Sequence, residues 1–292
     1  MACDLQHSQA FHPDRHWRQT RLAQLAARTV QGATQQVSLA RGRHTTVLQE
    51  ASTLPSPYGM EIVESCLTCK LRAKRSFCDL PPAALQAFEG IKYATAYPRG
   101  AVLFVQGQLP RGIFVLCKGS AKLAIDSPSG TTVIVKVAEP GEVLGLSAAL
   151  SGNPYEVTAE TIDPCLVNFV KRDDFLRFVE DDVEARFKVA EQLSENYHKA
   201  CKEVRWLGLS HSAAEKLAKL LLEWSSKNRE SAKAEPRLKL RLTHEEIAQM
   251  LGLSRETVTR VFADFRKQRL IRQNGSTLVI PDRVALKSLI TN

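Results

Sequence analysis

Residues 242–271, LTHEEIAQMLGLSRETVTRVFADFRKQRLI, restrict the possible folds more than any other stretch of the chain. Thr243 followed three positions later by Glu246 is a capping-box pair that starts a helix. Ala248, Gly252 and Val258 then occupy the fifth, ninth and fifteenth positions of a helix-turn-helix. A small residue is needed where two helices cross, glycine where the turn demands a positive φ, and an apolar branch where the second helix packs back. Ser254 can cap that second helix. Arg255, Glu256, Thr259 and Arg260 are left facing outward at its start. An arginine fork bonds guanine O6 and N7, and a glutamate accepts from cytosine N4, so these four are the candidate base-reading residues for double-stranded DNA.

The next segment, LIRQNGSTLVI (270–280), sets two short strands around Asn-Gly, a strong hairpin signal. Helix-turn-helix plus hairpin makes a winged helix, in which Arg266, Lys267, Arg269 and Arg272 could hold phosphates. The overall charge suits such a partner: 40 Lys and Arg against 31 Asp and Glu leave +9. No stretch approaches the roughly 18 apolar residues of a membrane-spanning helix, and no apolar leader lies near Met1, so a cytoplasmic protein without membrane contact is expected. No Gly-rich phosphate loop, His-Glu metallohydrolase pairing or spaced nucleophile–base set is present, which argues against an enzyme.

Upstream, the pattern changes twice. Residues 1–59 are rich in Gln, Thr, Ser, Ala, Arg and His and read as a poorly ordered N-terminal extension, ending at the turn-rich LPSPYGM. Residues 91–180 carry β-branched or apolar runs such as AVLFVQG, GIFVLCKG, TTVIVKVA and PCLVNFV, separated by turn-forming YPRG, SPSG and SGNP. Close spacing of short strands predicts an all-β sandwich, roll or barrel. In residues 181–209, Val183, Phe187, Ala190, Leu193, Tyr197, Cys201, Val204 and Gly208 recur every three or four positions, a narrow stripe that suits a helix-to-helix dimer seam. A second helix is expected over 212–227, within a C-terminal unit of 210–292.

Seven cysteines in a reducing compartment suggest free thiols or metal ligands rather than disulfides. Three fall between 66 and 78: Cys66 and Cys69 are spaced C-x2-C, and Cys78 follows after eight residues that include Lys70, Arg72, Lys74 and Arg75. Basic neighbours help ionise thiols. These residues, in a segment of 60–90 that includes a first helix, could form a metal or cluster site, a thiol redox site, or a purely structural group. Cys117 and Cys201 read as ordinary buried residues, and Cys3 as a tail thiol.

A roll of strands, a long helix and a winged helix containing SRETVTR resemble the Crp/Fnr superfamily of bacterial transcription regulators over about residues 64–286. YPRGAVLFVQG and FVLCKGSAKL look like that family's roll strands. The resemblance implies an α+β chain: an N-terminal cyclic-nucleotide-binding-like β-roll, a long dimerisation helix and a C-terminal winged helix-turn-helix. It implies a homodimer on an inverted-repeat operator, acting with RNA polymerase. Glu256 and Arg260 would read the G·C pair of a TGA-type core. Arg255 matches the cAMP-receptor branch, which favours TGTGA over TTGAT.

Cyclic-nucleotide binding is not expected. Gly145-Leu146-Ser147 replaces the ribose-binding Gly-Glu-Leu, and Tyr155-Glu156 lies where Arg-Ser should hold the phosphate. In the oxygen-sensing Fnr branch, three N-terminal cysteines and one in the roll hold a [4Fe–4S] cluster. The resemblance assigns those roles to Cys66, Cys69, Cys78 and Cys165, with zinc on the same thiols as the alternative. A regulator with no cluster, controlled by its own abundance or by an unknown ligand other than cAMP, is the other reading.

Overall fold

The computed structural model describes residues 57–60, 65–70, 72, 75, 77–209, 212–227 and 237–290. Apart from Pro57–Gly59, the expected N-terminal extension and Cys3 lie outside these residues.

Helix α1 (Pro82–Ile91) opens with proline in its first turn, where the missing N–H costs no bond. The roll follows as β1 (Lys92–Tyr97), β2 (Val102–Phe104), β3 (Gly112–Lys118), β4 (Ala121–Asp126), β5 (Thr132–Ala138), β6 (Val143–Leu144), β7 (Thr158–Thr161) and β8 (Cys165–Lys171). Short helix α2 (Leu146–Ser151) lies between β6 and β7. Two antiparallel four-stranded sheets, ordered β1-β8-β3-β6 and β2-β7-β4-β5, enclose a core that includes Phe104, Leu116, Leu144, Tyr155 and Val167. Three of these strands, β1, β6 and β7, are absent from the sequence expectation.

In β3 the register against β8 slips between Leu116 and Lys118, so Cys117 is the extra residue of a β-bulge. The β3–β4 turn places Gly119 at φ +84, and a Cβ there would come within 2.4 Å of the Pro164 carbonyl oxygen. Only glycine fits both demands.

Helix α3 (Arg172–Asp181) precedes the long helix α4 (Val183–Leu209), whose start is capped by Asp182 Oδ1 accepting from the Ala185 amide at 2.8 Å. One face of α4 buries Ala185, Val189 and Gln192. The other leaves Val183, Phe187, Tyr197 and Val204 at 60–72% exposure. Cys201 is exposed on that same face, so the expectation that it is buried is corrected. Leu193 is the stripe residue that packs against the same core as Ala185 and Val189, while the exposed members lie on the opposite side of the helix.

Helix α5 (Ala213–Lys227) is capped by Ser212, whose Oγ accepts from the Glu215 amide at 3.0 Å. Strand β9 (Arg237–Lys239) then joins β10 (Arg272–Asn274) and β11 (Thr277–Val279) in a sheet ordered β10-β11-β9. The expected hairpin is present, but Asn274 pairs with Thr277, so the turn residues are Gly275-Ser276; the third strand of the wing was not legible. Helices α6 (His244–Leu251) and α7 (Arg255–Lys267) form the two-helix unit, and α8 (Arg283–Lys287) closes the domain.

Candidate functional site

The DNA-reading unit is built from local bonds. Thr243 Oγ1 accepts from the Glu246 amide at 3.2 Å while Glu246 Oε2 accepts from the Thr243 amide at 2.8 Å, completing the capping box of α6. Gly252 takes φ +64 at the turn. Ser254 Oγ accepts from the Thr257 amide at 3.2 Å and starts α7. Ala248 and Val258 are buried between the helices with Ile247, Leu251, Phe262 and Phe265.

With that face of α7 committed to the core, Arg255, Glu256, Thr259 and Arg260 stand exposed together on one open surface with Ala263. The Glu256 carboxyl is held below its ordinary value by its own backbone amide and the Ser254 hydroxyl, which keeps it an ionised acceptor at neutral pH. Arg266, Lys267, Arg269 and Arg272 are exposed beside it. His244 was not singled out by sequence. Its Nδ1 lies 3.0 Å from Thr259 Oγ1, and its ring stacks on Phe262 with centroids 4.6 Å apart. Burial, then the charges of Arg266 and Arg255, lower its pKa.

The thiols occupy a second location, under the roll. Cys66, Cys69 and Cys78 line a cavity of about 50 Å³, together with Cys117, Asn168 and Arg75. A water needs roughly 10–15 Å³ by this kind of measure, so the space exceeds that of a single solvent molecule. Glu89 on α1 ties the thiol loop down by accepting from the amides of Cys66 and, at 3.3 Å, Leu67. Burial raises the Cys66 thiol against the lowering influence of Lys92. Burial likewise pushes Cys78 up to about 12 and Cys117 up to about 11.

Cys165 is not among them, which corrects the expectation that it faces the other three. It is fully buried in the roll core, its Sγ 3.2 Å from the Asp163 carbonyl and 3.3 Å from that of Ser120. Successive residues of a strand face opposite sides. Leu166 and Asn168 therefore look toward the thiol cavity, while Cys165 and Val167 look into the roll. Cys117, expected to be an ordinary buried residue, is half-buried and faces the thiols instead.

The donor chemistry of this cavity suits a soft metal or an all-sulfur cluster. Among the described residues its charged lining is Arg72, Arg75 and Lys118, with no carboxylate, which favours an anionic thiolate centre. Among the described residues, no three His, Cys, Asp or Glu side chains are already arranged to hold one ion.

The two positions singled out against cyclic-nucleotide binding are both buried, in different clusters. The Tyr155 ring stacks on Phe104 with centroids 4.1 Å apart, and its hydroxyl donates to the Gly112 carbonyl at 2.7 Å. Leu146, at the position of the ribose acceptor, is buried.

Roll and winged helix are also joined. Lys122 on β4 pairs with Glu246 at 2.8 Å and Glu160 at 3.2 Å. Arg241, ahead of α6, pairs with Asp163 at 3.0 Å and bonds the Ser120 hydroxyl. Ile162 packs into the core of the winged helix.

A β-roll joined through a long helix to a winged helix-turn-helix defines the class of DNA-binding transcription regulators. Residues 94–182 match the cyclic nucleotide-binding domain and residues 215–289 the Crp-like helix-turn-helix domain. The chain belongs to the Crp/Fnr family of transcription regulators. It is 28% identical over 216 residues to the transcriptional activatory protein AadR of Rhodopseudomonas palustris, covering 74% of this chain and 86% of that one. It is also 28% identical over 221 residues to the nitrogen fixation regulation protein FixK of Bradyrhizobium diazoefficiens, covering 75% and 92%. The solved structure of FixK2 from Bradyrhizobium japonicum shares the fold with a TM-score of 0.61 at 23% identity, covering 69% of this chain and 98% of that one. No helix among the described residues is long and apolar enough to cross a membrane.

Proposed function

We propose that the chain is a cytoplasmic regulator that binds an inverted-repeat operator as a homodimer and is gated at its thiol site by a redox- or oxygen-sensitive metal centre. The roll of 91–180 is the sensor, the helix of 181–209 the dimer seam, and 210–292 the DNA-reading unit. Arg255, Glu256, Thr259 and Arg260 enter the major groove, and the exposed basic residues of α7 and the wing hold phosphates. Two copies related by a two-fold axis set half-sites one helical turn apart. Contact with RNA polymerase follows from the same family role.

The observation that carries the gating half is the convergence of Cys66, Cys69 and Cys78 on one cavity from a loop that sequence alone leaves open. A [4Fe–4S] cluster bound there supplies oxygen-sensitive redox chemistry; zinc supplies only rigidity. The protein's own residues position the sulfurs and surround them with positive charge. Response to cAMP is not part of this reading, because the chain carries Leu146 and Tyr155-Glu156 where the ribose and phosphate partners are expected.

Two measurements test the proposal together. Selection from random duplex DNA should return a two-fold repeat with a TGA-type core, and a single asymmetric site would refute the dimer. Anaerobically purified protein should be brown, contain iron and bleach in air. A colourless protein with zinc supports the zinc form, and one with neither metal sinks the metal centre.

A further inference from the structure

The thiol site as read from sequence lacks a fourth sulfur once Cys165 is seen to point the other way. We propose that Cys117 is that fourth sulfur and that Asn168 positions Cys117 and Cys66 for a soft metal ion or an iron–sulfur cluster. This rests on the reading of Cys66, Cys69 and Cys78 as ligands.

Three independent features of the roll converge on it. The first is the β-bulge: Leu116 pairs with Val167 and Lys118 with Leu166, leaving Cys117 without a partner opposite. Bulges re-aim a side chain, and this one turns a thiol from a ladder position onto the wall shared with Cys66, Cys69 and Cys78.

The second is Asn168, which is 3% exposed. Its Nδ2 donates to Cys117 Sγ at 3.3 Å and to Cys66 Sγ at 3.7 Å, so one amide group holds a sulfur from the roll beside a sulfur from the N-terminal loop. Hydrogen bonds to ligating sulfur orient the ligand and tune the metal, the usual task of a group just outside the ligands.

The third is what Asn168 lacks. Its Oδ1 is buried and has no hydrogen-bond partner among the described residues, which is costly in a finished core. An asparagine kept there with half of its amide unsatisfied marks a site organised around a further group. By contrast, Cys165 already has two carbonyl partners and a close-packed apolar setting.

The ligand set becomes Cys66, Cys69, Cys78 and Cys117, all sulfur, in which the roll contributes through β3 instead of β8. The chemical class that fits is a thiophilic metal, either a single zinc-like ion or an iron–sulfur cluster.

The test compares full-length wild type with Cys117→Ala, Cys117→Ser, Cys165→Ala and Asn168→Leu, each checked for native circular dichroism. Two readouts are used: iron and zinc per chain after anaerobic purification, and titration of the stripped protein with Cd²⁺ alone, followed by its ultraviolet thiolate-to-metal charge-transfer band. Cys165→Ala should keep the wild-type metal content and band. Both Cys117 variants should lose about a quarter of the band intensity and bind Cd²⁺ at least about tenfold more weakly. Asn168→Leu should keep the full number of thiolates but shift the band energy and weaken binding by roughly tenfold, a spectral change that a merely structural role would not produce. Wild-type binding with Cys117 variants unaffected, or with Cys165→Ala alone defective, overturns the assignment of Cys117. A wild type that takes up no iron, zinc or Cd²⁺ overturns the metal-site reading beneath it.

Discussion

The seam proposed on α4 makes a demand that can be put in numbers at Phe187. The side chain is 60% exposed on a face that also presents Val183, Tyr197 and Val204. A phenylalanine carries roughly 200 Å² of surface, so about 120 Å² is available for a second copy to cover. At about 25 cal/mol per Å² that is about 3 kcal/mol per protomer and about 6 kcal/mol for the symmetric pair. Incomplete coverage and the ordering of side chains at an interface reduce the return by roughly half, leaving about 3 kcal/mol. Phe187→Ala should therefore raise the dimer dissociation constant on the order of 100-fold, measured by sedimentation equilibrium. Tyr93→Ala, on a half-exposed tyrosine of β1, is the control and should leave dimerisation unchanged. Because both half-sites must be filled together, operator binding should weaken in parallel at protein concentrations below the new dissociation constant. A change of less than about threefold, the scatter of an ordinary surface substitution, would mean that α4 is not the seam.

Three other predictions follow from the geometry. Arg260→Ala should cost about 1–3 kcal/mol on the preferred operator and relax preference at one base pair; equal weakening on all sequences in a binding titration refutes the base contact. For His244, a pKa lowered from 6.5 means that the unfolded chain binds the proton more readily. Stability is then full above about pH 6.5 and declines as pH falls through the region below it, a slope that His244→Gln should remove in denaturant melts against pH. Arg241→Gln removes the charge paired with Asp163 and should leave metal uptake unchanged. It should narrow the difference in DNA affinity between metal-loaded and stripped protein by 0.5–2 kcal/mol, and an undiminished difference in fluorescence anisotropy excludes this contact from the coupling.

The parts legible in the sequence are those whose instructions are local. Thr243, Glu246, Gly252 and Ser254 each act within four residues of their partners, so caps and turn could be read directly and the reading face of α7 followed from them. The stronger strands of the roll were visible as β-branched runs. Strand β6 is only two residues long, and β1 is the unremarkable KYATAY, so their pairing is decided by neighbours far along the chain. The direction in which Cys165 points was hidden for the same reason. Which face of β8 carries Cys165 depends on its register with β3, and a shift of one residue reverses every side chain. The feature that brings Cys117 out is a bulge in a strand about fifty positions away, which no local pattern announces.

The same bulge lies only a few residues from a contact with the winged helix. Cys117 faces the thiol cavity, and Ser120, three positions on, bonds Arg241 at the base of α6. Between them Gly119 sits so close to β8 that a Cβ would lie 2.6 Å from Cys165 Sγ, and Cys165 in turn bonds the Ser120 carbonyl. The turn is thus held against β8 on one side and against Arg241 on the other. Packed segments of this kind shift as units and do not bend gradually. In this arrangement Cys165 packs against the turn from inside the roll and does not face the thiol cavity.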